Sequence, residues 1–188
     1  GNLNNEIGLP LTLLNLNPHH QWAVVELGMN RPGEIERLGE ICSPKIGLIT
    51  NIGPAHLEGL GSIDAVMRAK GELLTKIKPA GTAVLNADDP MLLQLADQTS
   101  ANVVLFGLSK NVQIRGGSIR KKGLGLSFTL QMPSESISID IETPGKFMVS
   151  NALAAAAVGY LLGASARQIK TGLESFVPVQ GRLNIHKT

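Results

Sequence analysis

The chain has 188 residues, 43% of them hydrophobic, with 17 Lys and Arg against 15 Asp and Glu for a formal charge of +2. That length suffices for one well-buried core and is short for two, so a single domain over residues 1–188 is expected. The small, scattered charge excludes a nucleic-acid footprint, the lone Cys42 excludes an internal disulfide framework and fits a reducing compartment, and no apolar run of about 18 residues offers a membrane span.

The opening Gly1-Asn2-Leu3-Asn4-Asn5 reads as a polar loop without an initiator Met or an apolar leader, and the chain is expected to continue a longer polypeptide. Next comes an alternation of short β-rich and helical stretches: Trp22 to Leu27, Gly33 to Ile41, Ile46 to Asn51, Ser62 to Ile77 and Thr82 to Asn86. The strand runs Ala23-Val24-Val25 and Ile46-Gly47-Leu48-Ile49 are continuously apolar, as parallel strands covered on both faces are. From Val103 to Ile141 the pattern alternates instead, in Leu126-Ser127-Phe128-Thr129-Leu130 and Ile137-Ser138-Ile139-Asp140-Ile141, which predicts antiparallel hairpins. The basic run Arg120-Lys121-Lys122 decorates a turn there, and Gly123-Leu124-Gly125 supplies turn residues. Beyond Pro144-Gly145, Ser150 to Leu162 and Ser165 to Leu173 predict two helices, the second capped by Ser165. The expected fold is α/β: a doubly wound, mainly parallel sheet flanked by helices, with a small antiparallel β-hairpin region.

In open α/β sheets ligands sit beyond the carboxyl ends of the strands, so the polar residues that close the apolar runs draw attention. Glu26 closes the first and Asn51 the second, with His56 five residues further on. A carboxylate and an imidazole converging on one crevice suit a divalent metal, and oxygen-rich sites suit magnesium on nucleotide phosphates. The plainer readings are a solvated strand end for Glu26 and a backbone-bonded loop histidine for His56. Lys70 falls in line with the apolar stripe Ile63, Val66, Met67, Leu74 and Ile77. Either its ammonium snorkels to the surface, or desolvation lowers its pKa and leaves an amine able to take up carbon dioxide as a carbamate, a negative oxygen ligand for metal. The phosphate-loop pattern G-x-x-x-x-G-K-[ST] occurs nowhere; Gly145-Lys146 is followed by Phe147.

Taken together the residues resemble the Mur ligases, and specifically the MurF type. The resemblance runs through Gly1 to Pro10, Glu26-Leu27-Gly28-Met29-Asn30, Gly33-Glu34-Ile35, Asn51 to Gly61, Ala69-Lys70-Gly71-Glu72, Asn86-Ala87-Asp88-Asp89, Asn151-Ala152-Leu153-Ala154-Ala155 and Gly181-Arg182-Leu183, in family order across essentially the whole chain. It implies the central ATP-binding domain of a cytoplasmic ligase of peptidoglycan precursor synthesis, without the upstream phosphate loop or the amino- and carboxy-terminal domains of its parent. That parent would join D-alanyl-D-alanine to UDP-N-acetylmuramoyl-tripeptide, using ATP to make an acyl phosphate that the dipeptide amine attacks; the isolated chain is expected to be inactive. It implies two Mg2+ ions, Glu26 holding one and His56 with a carbamylated Lys70 the other. Asn5 would approach the phosphates, Asn151 the adenine edge and Arg182 the terminal phosphate, with Lys70, His56 and Arg182 as the catalytic set. Phe147 and Met148 depart from the family, which usually has His and often Asn there, so part of the adenine contact is expected to be apolar. A monomer is expected, with no nucleic-acid or membrane partner. The alternatives are a sister ligase adding diaminopimelate or lysine, a folylpolyglutamate synthetase, or a non-catalytic nucleotide-binding scaffold module.

Overall fold

Side-chain caps set several of the helix starts. Ser62 Oγ accepts the amide of Ala65 and opens a helix at Ile63–Thr75. Asp89 accepts the amide of Met91 ahead of Pro90 and opens Pro90–Gln98, the Pro at a position where its missing N–H costs nothing. Ser165 and Gln168 form a capping box that opens Ala166–Glu174. The computed structural model describes residues 2–55 and 57–178. Its helices are α1 (Gly8–Leu14), α2 (Glu34–Cys42), α3 (Leu57–Leu60), α4 (Ile63–Thr75), α5 (Pro90–Gln98), α6 (Lys146–Leu161) and α7 (Ala166–Glu174). Its strands are β1 (Ile46–Ile49), β2 (Thr82–Asn86), β3 (Asn102–Gly107), β4 (Ile114–Lys122), β5 (Gly125–Gln131) and β6 (Ser136–Ile141).

The strands follow chain order in one six-stranded sheet. β1 pairs in parallel with β2, and β3 with β4, while β4, β5 and β6 form antiparallel ladders. The expected mainly parallel α/β sheet with an antiparallel hairpin region is therefore present. By density of internal contacts the chain falls into two compact units: residues up to 85 with 89–103, and 86–88 with residues from 104 on.

In the first unit α4 packs against α2, α3, α5 and β1. Its buried face is Val66, Ala69 and Leu74, the helical spacing expected of an amphipathic element. Glycine permits two of these approaches: a Cβ on Gly71 would lie 2.8 Å from Leu95 of α5, and one on Gly39 of α2 would lie 2.8 Å from the Lys76 side chain. α2 has no cap of its own, and Glu72 of α4 supplies one by accepting the amides of Gly33 (2.8 Å) and Glu36 (3.1 Å). In the second unit α6 packs on β4 and β5, and α7 on β6 and α6. Phe106, Ile114, Phe128, Leu130, Ile139 and Leu153 are fully buried there. The two-residue turn at Gly123-Leu124 joins Lys122 to Gly125, with Gly123 in the left-handed region (φ 58°); Gly123 acts as a turn residue, while Gly125 opens β5.

Two expectations change. Trp22 to Leu27 has no regular secondary structure and joins no ladder among the described residues; Trp22 is 56% and Val24 89% exposed. Apolar β-branched sequence specifies extended backbone, but a strand also needs a hydrogen-bonding partner. α6 begins at Lys146, four residues before the expected Ser150, because Gly145 (φ 101°) turns the chain directly into the helix. Beyond the opening loop, α1 starts at Gly8, with Asn5 Oδ1 accepting the amides of Ile7 (3.2 Å) and Gly8 (2.8 Å).

Candidate functional site

A cleft of about 560 Å³ opens in the first unit, and Asn4, Asn5, Glu26, Asn30, Glu34 and Lys70 stand on its wall. Three of the residues singled out from sequence, Asn5, Glu26 and Lys70, thus meet on one surface although they are far apart in the chain. Ala55, the neighbour of His56, lines the same cleft. His56 itself lies outside the described residues, as does Arg182.

The Asn-rich opening orients Glu26. Its Oε1 accepts Asn2 Nδ2 at 2.7 Å and Asn4 Nδ2 at 2.9 Å. The Asn4 carbonyl accepts the amide of Gly28 at 2.7 Å, which ties the two segments together. A Cβ on Gly28 would fall 2.7 Å from the Asn4 amide nitrogen, so glycine is what admits this clamp. Glu26 therefore sits on a tethered irregular segment rather than at a strand end. Asn5 has a structural duty as well, since its side chain caps α1 and its carbonyl accepts the amide of Leu9 at 2.9 Å.

Lys70 lies on α4 half-buried and donates from Nζ to the Asn51 carbonyl at 2.7 Å, just beyond the end of β1. Burial pushes its pKa below the usual lysine range, and the negative charge of Asp89 pulls it partly back. The ammonium does not snorkel to open water; it is held against a backbone carbonyl in a partly desolvated place. Asp89 fixes that place: its Oδ2 accepts the amide of Ile52 at 2.6 Å, while its Oδ1 accepts Met91 N at 3.0 Å. The Asp89-Pro90 pair carried a helix-start signal in sequence, but its contact to the loop after β1 had none.

Among the described residues, no group of three or more His, Cys, Asp or Glu is arranged to hold a metal ion. The donors on the cleft are the carboxylates of Glu6, Glu26 and Glu34 and the side-chain oxygens of Asn4, Asn5 and Asn30, a hard, oxygen-only set that suits magnesium. An ammonium at Lys70 would oppose such an ion; an oxygen anion there would complete the set.

The second unit has its own cleft, about 680 Å³ and mainly apolar, lined by Phe147, Met148, Asn151, Ala155, Ile169 and Phe176 among others. Asn151 occupies the second turn of α6 rather than its first and is exposed. An apolar enclosure with the amides of Asn151 and Gln168 on its wall can hold an aromatic base by its faces and one edge.

A mixed sheet with parallel β1-β2 and β3-β4 pairs, flanking helices and polar residues gathered beyond β1 defines an α/β domain. The chain belongs to the Mur ligase family: the Mur ligase middle domain pattern matches residues 1–159. It is similar, at 39% identity over 97% of its length and 41% of the relative's, to UDP-N-acetylmuramoyl-tripeptide--D-alanyl-D-alanine ligase of Escherichia coli. Among solved structures it superposes on MurF from Acinetobacter baumannii with a TM-score of 0.93 and 36% identity, covering all of this chain and 41% of that one. It also superposes on MurF ligase from Thermotoga maritima in complex with ADP, with a TM-score of 0.87 and 26% identity, covering all of this chain and 43% of that one. The MurF-type resemblance is borne out by these relatives, of whose length the chain spans about 41%. Among the described residues no helix is long and apolar enough to cross a membrane.

Proposed function

We propose that residues 1–188 serve as the central ATP-handling domain of a longer cytoplasmic ligase, acting as a monomer, that joins D-alanyl-D-alanine to UDP-N-acetylmuramoyl-tripeptide. The observation that carries this reading is the convergence of Asn5, Glu26 and Lys70 on one oxygen-lined cleft. The relatives' names supply the substrates, and the ADP complex of the T. maritima neighbour supports the nucleotide.

In this reading ATP phosphorylates the carboxylate that ends the tripeptide, and the amine of the dipeptide attacks the acyl phosphate and expels phosphate. Such transfers depend on positioning and on positive charge at the phosphate oxygens rather than on covalent help from the protein. Glu26 would hold one magnesium ion, and His56 with a carbamylated Lys70 a second; ions bound there would supply positive charge to the phosphates. Lys70 suits the modification because its partly buried amine gives up its proton more readily than an exposed lysine. The ammonium first gives up one proton; neutral Nζ then attacks the carbon of carbon dioxide, a C–N bond forms as one C=O π bond opens onto oxygen, Nζ releases a second proton, and a cation has become a carbamate anion. Asn5 faces the phosphates, Arg182 reaches the terminal phosphate, and Asn151 bonds the adenine edge, with Phe147 and Met148 against the ring.

The test is ADP release by the full-length protein with UDP-N-acetylmuramoyl-tripeptide and either D-alanyl-D-alanine or single amino acids. Stimulation by the dipeptide alone is expected. Stimulation by diaminopimelate, lysine or glutamate would move the protein to a sister ligase, and no stimulation by any acceptor would overturn the enzymatic reading.

A further inference from the structure

The contact between Lys70 and the loop after β1 has a second side. Lys70 Nζ donates to the carbonyl of Asn51, and the amide of Ile52 donates to Asp89 Oδ2. These two groups, C=O of residue 51 and N–H of residue 52, belong to one peptide unit. That unit is planar and trans, so fixing the direction of its N–H fixes the direction of its C=O. The far end of the relay is also anchored, because Asp89 Oδ1 accepts the amide of Met91 and its carbonyl accepts the amide of Leu92 at the start of α5. Ile52 is buried, so the loop at that point is seated and not merely draped over the surface.

From this geometry we infer that Asp89 is a positioning residue for Lys70, acting through the Asn51–Ile52 peptide to hold the carbonyl on which Nζ rests. Helix capping alone needs one oxygen acceptor; the carboxylate supplies two, and the second reaches across to the loop 37 residues earlier in the chain. The relay runs in one direction of polarisation, from carboxylate to amide to carbonyl to amine, and each bond strengthens the next. The inference rests on the reading of Lys70 as the reactive amine, and it names what keeps that amine in register with the cleft.

Serine at position 89 separates the two duties, since its single hydroxyl still caps α5 but cannot accept from Ile52 at the same time. In the 188-residue chain, labelling of Lys70 by a water-soluble amine-reactive ester, followed by peptide mass analysis, should be about tenfold faster in Asp89→Ser, the factor set by one hydrogen bond of ordinary net strength. Leu92→Ala loosens the same helix from its buried side without touching the relay, and should leave Lys70 labelling at the wild-type rate. In the full-length protein, Asp89→Ser should lower turnover at saturating ATP with KM for ATP little changed. Unchanged labelling in Asp89→Ser, or an equal rise in Leu92→Ala, would overturn the relay. Faster labelling in Asp89→Ser alone, with Lys70→Ala fully active, would uphold the relay and sink the role given to Lys70.

Discussion

Gly28 offers a way to move Glu26 without touching it. A methyl group on Gly28 would lie 2.7 Å from Nδ2 and 2.8 Å from Cγ of Asn4, well inside ordinary contact distance. The obstructing atoms are the end of a flexible side chain, so the amide swings away and the backbone bond from Gly28 N to the Asn4 carbonyl survives. What is lost is the 2.9 Å bond from Asn4 Nδ2 to Glu26 Oε1, while Asn2 still donates at 2.7 Å. One hydrogen bond at an exposed carboxylate contributes about 1 kcal/mol, so Gly28→Ala should lower the melting temperature by only about 2–4 °C. The same amount subtracted from the ordering of a metal ligand raises the magnesium concentration for half-maximal turnover about fivefold. Thermal unfolding of the 188-residue chain and a magnesium titration of the full-length ligase measure the two effects. Asn4→Ala removes the bond without the clash and should shift the magnesium requirement equally. An unchanged requirement in either variant refutes the claim that the Asn-rich opening orients a metal ligand.

Lys70→Ala in the full-length protein should abolish ligase turnover, and added bicarbonate should not restore it; normal turnover would refute the carbamate role. Lys70→Met tests the burial of the amine through pH. The folded-state pKa of Lys70 lies below its unfolded value, so over the interval between them the unfolded chain binds more protons and stability rises with pH. The wild type, least stable relative to the Met variant below the folded value, should therefore gain on it as pH rises towards the ordinary lysine range, and a pH-independent difference in urea unfolding would refute this. Glu72→Ala removes two acceptors from the start of α2 and should cost about 1–2 kcal/mol in the same assay, Glu72→Gln distinctly less. Equal losses would mean that charge, not acceptance, does the capping.

Much of the fold is legible in the sequence because burial imposes its period. Lys70 stands out only because α4 has an apolar stripe to violate, and the hairpins announce themselves through the alternation in β5 and β6. Ser165 is a readable cap for the same reason that Asp89 is: a short oxygen-bearing side chain ahead of a helix-forming run. Other features carry no such signal. α1 at Gly8–Leu14 carries Pro10 in its first turn, where Pro is tolerated, and Asn5 accepts the amide of Gly8 that opens it. Trp22 to Leu27 has the composition of a strand, and composition does not supply a ladder. At the site, Glu26 and Lys70 were readable as chemistry out of place, but the acceptor for Lys70 is a backbone carbonyl, which every residue has. A carbonyl becomes specific only when the fold points it.

The block Ala69-Lys70-Gly71-Glu72 shows how that pointing is achieved. Successive residues on a helix project about 100° apart, so four in a row sweep the whole circumference. Ala69 is buried beneath α4, and Lys70 reaches the carbonyl that follows β1. Gly71 lets Leu95 of α5 come within contact, and Glu72 turns to the amides that open α2. The side chains that dock α4 against α5 and α2 are thus immediate neighbours of the one that enters the cleft. Any rotation of α4 that withdrew Lys70 would drive a helix backbone into Leu95 and strip α2 of its cap. The position of the amine is set by packing and by hydrogen bonds on three sides at once, and a lysine held that firmly loses little further freedom when it meets a ligand.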